Sequence, residues 1–83
     1  SRERLRVGQV PSSHADAGRL ENEIRAAGLN VLGTEYGAEG ATISLGVFDR
    51  PEELARAEEL VVSLSSGAAS MTWGDTQWVD LPV

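Results

Sequence analysis

The stretch Ala41–Phe48 places the strongest limit on what this chain can fold into. Apolar Ile43 and Leu45 alternate there with small polar Thr42 and Ser44. A period of two predicts a β-strand with one face in a core and the other face open. The four residues that follow, Asp-Arg-Pro-Glu, are typical of the start of a helix. The chain therefore needs a fold in which a sheet strand leads directly into a helix.

A strand and a helix are also predicted at the beginning of the chain. Residues 5–10 alternate like a strand, which we expect Pro11 to end. Ser13 and Asp16 have the spacing of a capping box, so a helix should begin there. Apolar residues then recur at helical spacing until Gly28, a natural residue to follow a helix.

The middle of the chain predicts a hairpin and a second helix. Leu29–Tyr36 has the character of a strand, weakened by Gly33, and the Gly-Ala-Glu-Gly sequence after it is a flexible loop. The second helix should run from Pro51 to Leu64, since proline suits the first turn of a helix.

The C-terminal part predicts two short strands around Gly74 and Asp75. Glycine at the first central position fits a two-residue type II′ turn. The register of this hairpin would pair Met71 with Trp78 and Trp73 with Thr76.

This order of elements predicts an α+β fold. Short connections and right-handed crossovers favour a ferredoxin-like βαββαβ sandwich, an antiparallel sheet with two helices on one face. The C-terminal hairpin would add one further strand. We interpret residues 1–4 as a frayed end or linker and residues 5–83 as a single domain.

Charge and composition bear on the kind of partner. The net charge of the 83 residues is −6, and all seven basic residues are arginine. This balance argues against nucleic acid as a partner and against electrostatic docking to anionic lipid. There is no cysteine and no run of 18 apolar residues. Because no initiator Met is present, we expect a domain excised from a longer protein, with any membrane anchor in an upstream segment.

No residue pattern indicates catalysis, a cofactor or a metal. His14 is the single histidine, and it lies in the expected first turn of the first helix. Ser12, Ser13, His14 and Asp16 have the residue types of a hydrolase triad, but neighbours in sequence cannot adopt its arrangement in space. Phosphate-binding and zinc motifs are absent from the sequence. We therefore predict that the chain is not an enzyme.

Two segments have the look of an internal repeat, and they resemble a known family. Leu5-x-Val7-Gly8-x-Val10 and Ile43-x-Leu45-Gly46-x-Phe48 align at an offset of 38 residues, each before a capped helix. They resemble the strand motifs of SPOR domains, the sporulation-related repeats of bacterial cell-envelope proteins. Arg19–Gly28 is similar to a helix of that family, and the Trp-containing end 77–81 resembles a divergent gammaproteobacterial subgroup.

The resemblance implies a function in the periplasm. SPOR domains bind peptidoglycan glycan strands that lack stem peptides, on the sheet face away from the helices, and act in cell division. A sugar-binding face needs apolar or aromatic surface with amides, hydroxyls and guanidinium groups around it. The candidate residues for glycan binding are Arg6, Gln9, Tyr36, Thr42, Ser44, Trp73 and Trp78. Of these, Arg6, Thr42 and Ser44 should point to the open face if Leu5, Val7, Ile43 and Leu45 point to the core.

Alternatives remain for the tryptophans and for the function. Trp73 and Trp78 either form a stacking platform for a sugar or peptide, or cover the sheet edge or the end of a small core. The domain is either a glycan-binding module or an ACT-like regulatory domain that binds a small ligand near Gly33 or Gly37. It could also bind another envelope protein through an exposed sheet edge. We expect a monomer or weak dimer, anchored in the inner membrane by a segment outside this chain.

Overall fold

The computed structural model describes residues 2–80, without the side chains of residues 2, 75 and 77–80. It contains four strands and two helices. Their bounds in chain order are β1 (Arg2–Ser12), α1 (His14–Ala26), β2 (Asn30–Tyr36), β3 (Ala41–Phe48), α2 (Pro51–Leu64) and β4 (Thr72–Asp80). Among the described residues, neither helix has the length and apolar character that crossing a membrane requires.

The strands form one antiparallel sheet in the order β2-β3-β1-β4. This order has the first and third strands at the centre, with both helices on one side. The α+β, ferredoxin-like prediction is therefore confirmed.

Local capping signals explain the bounds of α1. The Ser13 side chain accepts a hydrogen bond from the backbone N–H of Asp16 at 3.1 Å, as the capping box predicts. At the other end Gly28 has φ of +93°, and its N–H donates to the carbonyl of Arg25. The N–H of Leu29 bonds to the carbonyl of Ile24, so a Schellman motif ends the helix.

Helix α2 has the predicted bounds but a weaker start. Pro51 occupies its first turn, and Arg50 precedes it without a side-chain cap. The helix ends in a second Schellman motif, in which Ser66 takes a left-handed conformation with φ of 54°.

The core lies between the sheet and the helices. Its fully buried side chains come from both layers, with Val10, Ile43 and Leu45 from the sheet and Ile24 and Val61 from the helices. Removing this much apolar surface from water is the main stabilising contribution in a domain of this size.

Strand β1 is longer than predicted at both ends. Residues 2–4, expected to be a frayed end or linker, pair with residues 78–80 of β4. Pro11 does not end the strand, so that prediction is wrong. Pairing with β4 reaches only to Gln9, and β1 is locally an edge strand at Pro11, where a missing N–H is tolerated.

The predicted C-terminal hairpin is also wrong. Gly74 and Asp75 lie inside the single strand β4, which pairs with β1 on both sides of them. Arg6 pairs with Thr76 and Gly8 with Trp73, so two residues of β4 oppose one residue of β1. The Gly-Asp pair is therefore a β-bulge and not a turn. Residues 81–83 are outside the described part of the chain.

The two segments that look like an internal repeat are not structurally equivalent. Gly8 pairs with Leu45 on the covered face, whereas Gly46 pairs with Val7 on the open face. The N-cap residues Ser13 and Arg50 lie 37 positions apart, one less than the offset used to align the two motifs. Side chains alternate between the two faces of a sheet, so an alignment that is shifted by one residue matches residues that lie on opposite faces.

Candidate functional site

The open face of the sheet is assigned by the strand register. Residues paired across an antiparallel ladder share a face, so the buried pair Val10 and Ile43 defines the covered face. The alternate pairs then point away from the helices. These pairs are Leu5 with Phe48, Val7 with Gly46, Gln9 with Ser44, and Pro11 with Thr42.

Four apolar side chains, which we call the open-face strip, cross this side of the sheet: Leu5, Val7, Leu32 and Phe48. Leu32 is the bulged residue of β2 and is 49% exposed. A methyl group at Gly46 would lie 3.3 Å from Cδ1 of Leu5 and 3.3 Å from Cδ2 of Leu32. Because Gly46 has no side chain, Leu5 of β1 and Leu32 of β2 both extend into the space above β3. The result is one apolar surface across three strands.

Polar groups border the strip on the same face. Gln9 and Ser44 pair across β1 and β3, and Thr42 pairs with Glu35 of β2. The amide nitrogen of Asn30 lies 3.4 Å from the position of a Cβ at Gly46. Amides and hydroxyls at the border of an apolar surface are the usual composition of a recognition site.

An arginine covers the aromatic member of the strip. Cζ of Arg50 lies 5.5 Å from the centroid of the Phe48 ring, within cation–π distance. The same guanidinium donates a hydrogen bond to the carboxylate of Glu3. Arg50 and Glu3 thus form a charged border next to Phe48 at the end of the strip.

Arg6 does not belong to this face, contrary to prediction. It pairs with Val47, a buried residue of the covered face. Its Nε lies 3.5 Å from the carboxylate of Asp49, which also pairs with Nε of Arg4 at 2.9 Å. The side chains of Leu5 and Val7, which we expected in the core, occupy the open face instead.

Trp73 also lies on the covered face. It pairs with Gly8, and its Cζ3 would be 2.9 Å from a Cβ at that position. Its indole N–H donates a hydrogen bond to Glu58 of α2. Of the two alternatives for this residue, the structure places Trp73 as a cover for the end of the core.

Tyr36 and Trp78 complete the predicted set. Tyr36 is 64% exposed, pairs with the buried Ala41 and stacks on His14 with ring centroids 6.3 Å apart. It is therefore on the covered side of the sheet, at its edge. The backbone of Trp78 pairs with Arg4, but its side chain lies outside the described residues. Of the six predicted residues whose side chains the structure describes, Gln9, Thr42 and Ser44 lie together on the open face, and Arg6, Tyr36 and Trp73 do not.

The four members of the strip were missed as site residues, although their spacing carried a signal. Val7 and Val10 are three positions apart in the sequence, and so are Leu45 and Phe48. In a strand, an odd separation puts two residues on opposite faces. Leu45 is buried on the covered face, so Phe48 lies on the open face.

The residues that the structure describes include no group of three or more His, Asp or Glu side chains placed to hold a metal ion. A cavity of about 220 Å³ lies between the start of α1 and the segment after α2, and Ser13, Arg19 and Ser65 contribute to its walls. This volume is below the usual range for small-molecule sites.

Comparison with models of protein families shows to which family the chain belongs. The model of one family matches residues 13–68, about two thirds of the chain. The chain belongs to the family described as Domain of unknown function (DUF1949). The SPOR assignment was therefore wrong, since it depended on short motifs whose glycines lie on opposite faces of the sheet. No curated protein matches the chain.

The DUF1949 match covers part of the candidate site. It spans α1, β2, β3 and α2, and so includes Leu32 and Phe48 of the strip. Leu5 and Val7 lie on β1, outside the matched residues.

Proposed function

We propose that this DUF1949 domain is a non-catalytic binding module that recognises a protein partner through the open face of its sheet. The open-face strip carries the proposal, because it joins apolar side chains of β1, β2 and β3 on the side opposite the helices. Protein interfaces combine an apolar centre with aromatic and arginine residues and a polar border. Phe48 with Arg50 supplies the aromatic and the arginine, and Gln9, Ser44 and Thr42 supply the border.

The position of Arg50 favours a protein over a glycan. A sugar ring would need the flat face of Phe48, the aromatic residue of the strip, and the Arg50 guanidinium lies over that ring. A protein partner can use the guanidinium itself, by placing a carboxylate or carbonyl beside it. Glycan binding is retained as the second candidate, because amide and hydroxyl groups of Asn30, Gln9 and Ser44 border the strip.

The size of the strip indicates a transient complex. Complete burial of a leucine or phenylalanine contributes about 1.5–3 kcal/mol, and the strip residues are already partly buried. Burial of Leu32, which is 49% exposed, should therefore contribute about 1 kcal/mol. The burial of four such side chains leaves little net binding free energy once the entropic cost of association is subtracted.

An ACT-like regulatory site has less support. A Cβ at Gly33 would have open space around it, which is compatible with a ligand. However, Gly33 pairs with Ser44 and so lies on the outward, open face of the sheet. The cavity of about 220 Å³ near α1 and the groove of about 380 Å³ on α2 are both lined by other residues.

The test uses two substitutions at sites of matched exposure. Leu32 lies in the strip and is 49% exposed, whereas Val62 lies on the outer side of α2 and is 45% exposed. Affinity-tagged wild type, Leu32→Arg and Val62→Arg would be expressed in the host cell within the full-length protein, and co-purified proteins quantified by mass spectrometry. We expect at least one protein to be retained by wild type and Val62→Arg and reduced at least tenfold by Leu32→Arg.

Each other outcome is informative. Equal loss with both substitutions, or no protein that distinguishes them, would contradict the proposal. In parallel, sedimentation with amidase-treated peptidoglycan tests the second candidate. Enrichment that Leu32→Arg abolishes and Val62→Arg preserves would make a glycan the ligand of the same face.

A further inference from the structure

We draw no further inference here: the strongest candidate, the cluster of Arg4, Arg6 and Asp49 where β1 begins on the covered side of the sheet, carries nothing, because Arg6 keeps 38% of its side chain exposed, its Nε already faces the Asp49 carboxylate at 3.5 Å, and no second feature of the described residues points to a ligand.

Discussion

At the scale of single residues, Gly8 marks a place where the covered face has no room for a side chain. A Cβ at this position would lie 2.3 Å from Sδ of Met71 and 2.9 Å from Cζ3 of Trp73. The thioether can move, but the indole is held by its hydrogen bond to Glu58. We therefore expect Gly8→Ala to lower the free energy of unfolding by about 1–3 kcal/mol through overpacking. Urea denaturation measures this as a lower midpoint at an unchanged slope.

Gly33→Ala is the matched control for Gly8→Ala. Both glycines lie in strands, yet a Cβ at position 33 has nothing within 4 Å. We expect this substitution to be neutral or stabilising by up to about 1 kcal/mol, because alanine restricts the unfolded chain. An equal loss of stability in both variants would show that crowding by Trp73 is not the cause.

Ser66 stores backbone strain at the end of α2. Its φ of 54° is a left-handed conformation that disfavours a side chain by about 1 kcal/mol. We expect Ser66→Gly to raise the free energy of unfolding by about 0.5–1 kcal/mol. Ser63→Gly, one turn earlier in the helix, should lower it by about 0.5 kcal/mol, so the two substitutions differ in sign. Chemical denaturation of both variants checks this, and a decrease for Ser66→Gly would contradict it.

At this scale, the sequence did not predict which face of the sheet each side chain of β1 occupies. Apolar Leu5 and Val7 alternate with charged Arg4 and Arg6. Hydrophobicity alone therefore predicts that Leu5 and Val7 face the core. The register reverses this, because Val10 is buried and fixes the alternation. Arg6 is tolerated on the covered side because its side chain lies beside the Asp49 carboxylate and stays 38% exposed.

At the scale of elements, the start of α1 depends on one side chain. The hydroxyl of Ser13 accepts from the N–H of Asp16 and donates to its carboxylate, both at 3.1 Å. We expect Ser13→Ala to lower the free energy of unfolding by about 1 kcal/mol, since an N–H in the first turn loses its partner. Hydrogen exchange should show faster exchange of the Asp16 amide.

Ser63→Ala provides the control for the cap. Ser63 is an exposed residue inside α2, where alanine is the better helix former. We expect a small gain of a few tenths of a kcal/mol. If Ser13→Ala were equally harmless, the side chain of Ser13 would not be what stabilises the helix start.

The elements differ in how much the sequence revealed. Helices α1 and α2 and strand β3 were predicted well, because caps and alternation are local signals. Strand β4 was not, because Gly74 and Asp75 have the composition of a hairpin turn. Only the long-range pairing with β1 makes them a bulge, and no local pattern contains that information.

At the scale of the whole molecule, the fold was predictable and the binding face was predictable only in part. The order of strands and helices follows from patterning and connection rules. The open-face strip depends on Gly46, which leaves space above β3 for Leu5 and Leu32, and on the bulge in β2 at Leu32. Both are contacts between distant parts of the chain. The family relationship also required a comparison, since short strand motifs recur in unrelated sheets.

The central claim is that the open face, and not the outer surface of the helices, contacts a protein partner. Photo-cross-linking tests it most directly, with a photoreactive amino acid at position 32 or at position 62 of the full-length protein in its host cells. We predict a discrete cross-linked product when the photoreactive residue is at position 32 and none when it is at position 62. Phe48→Ala should reduce the yield of that product, because it weakens the complex. A product of equal yield at both positions, or at position 62 alone, would contradict this account.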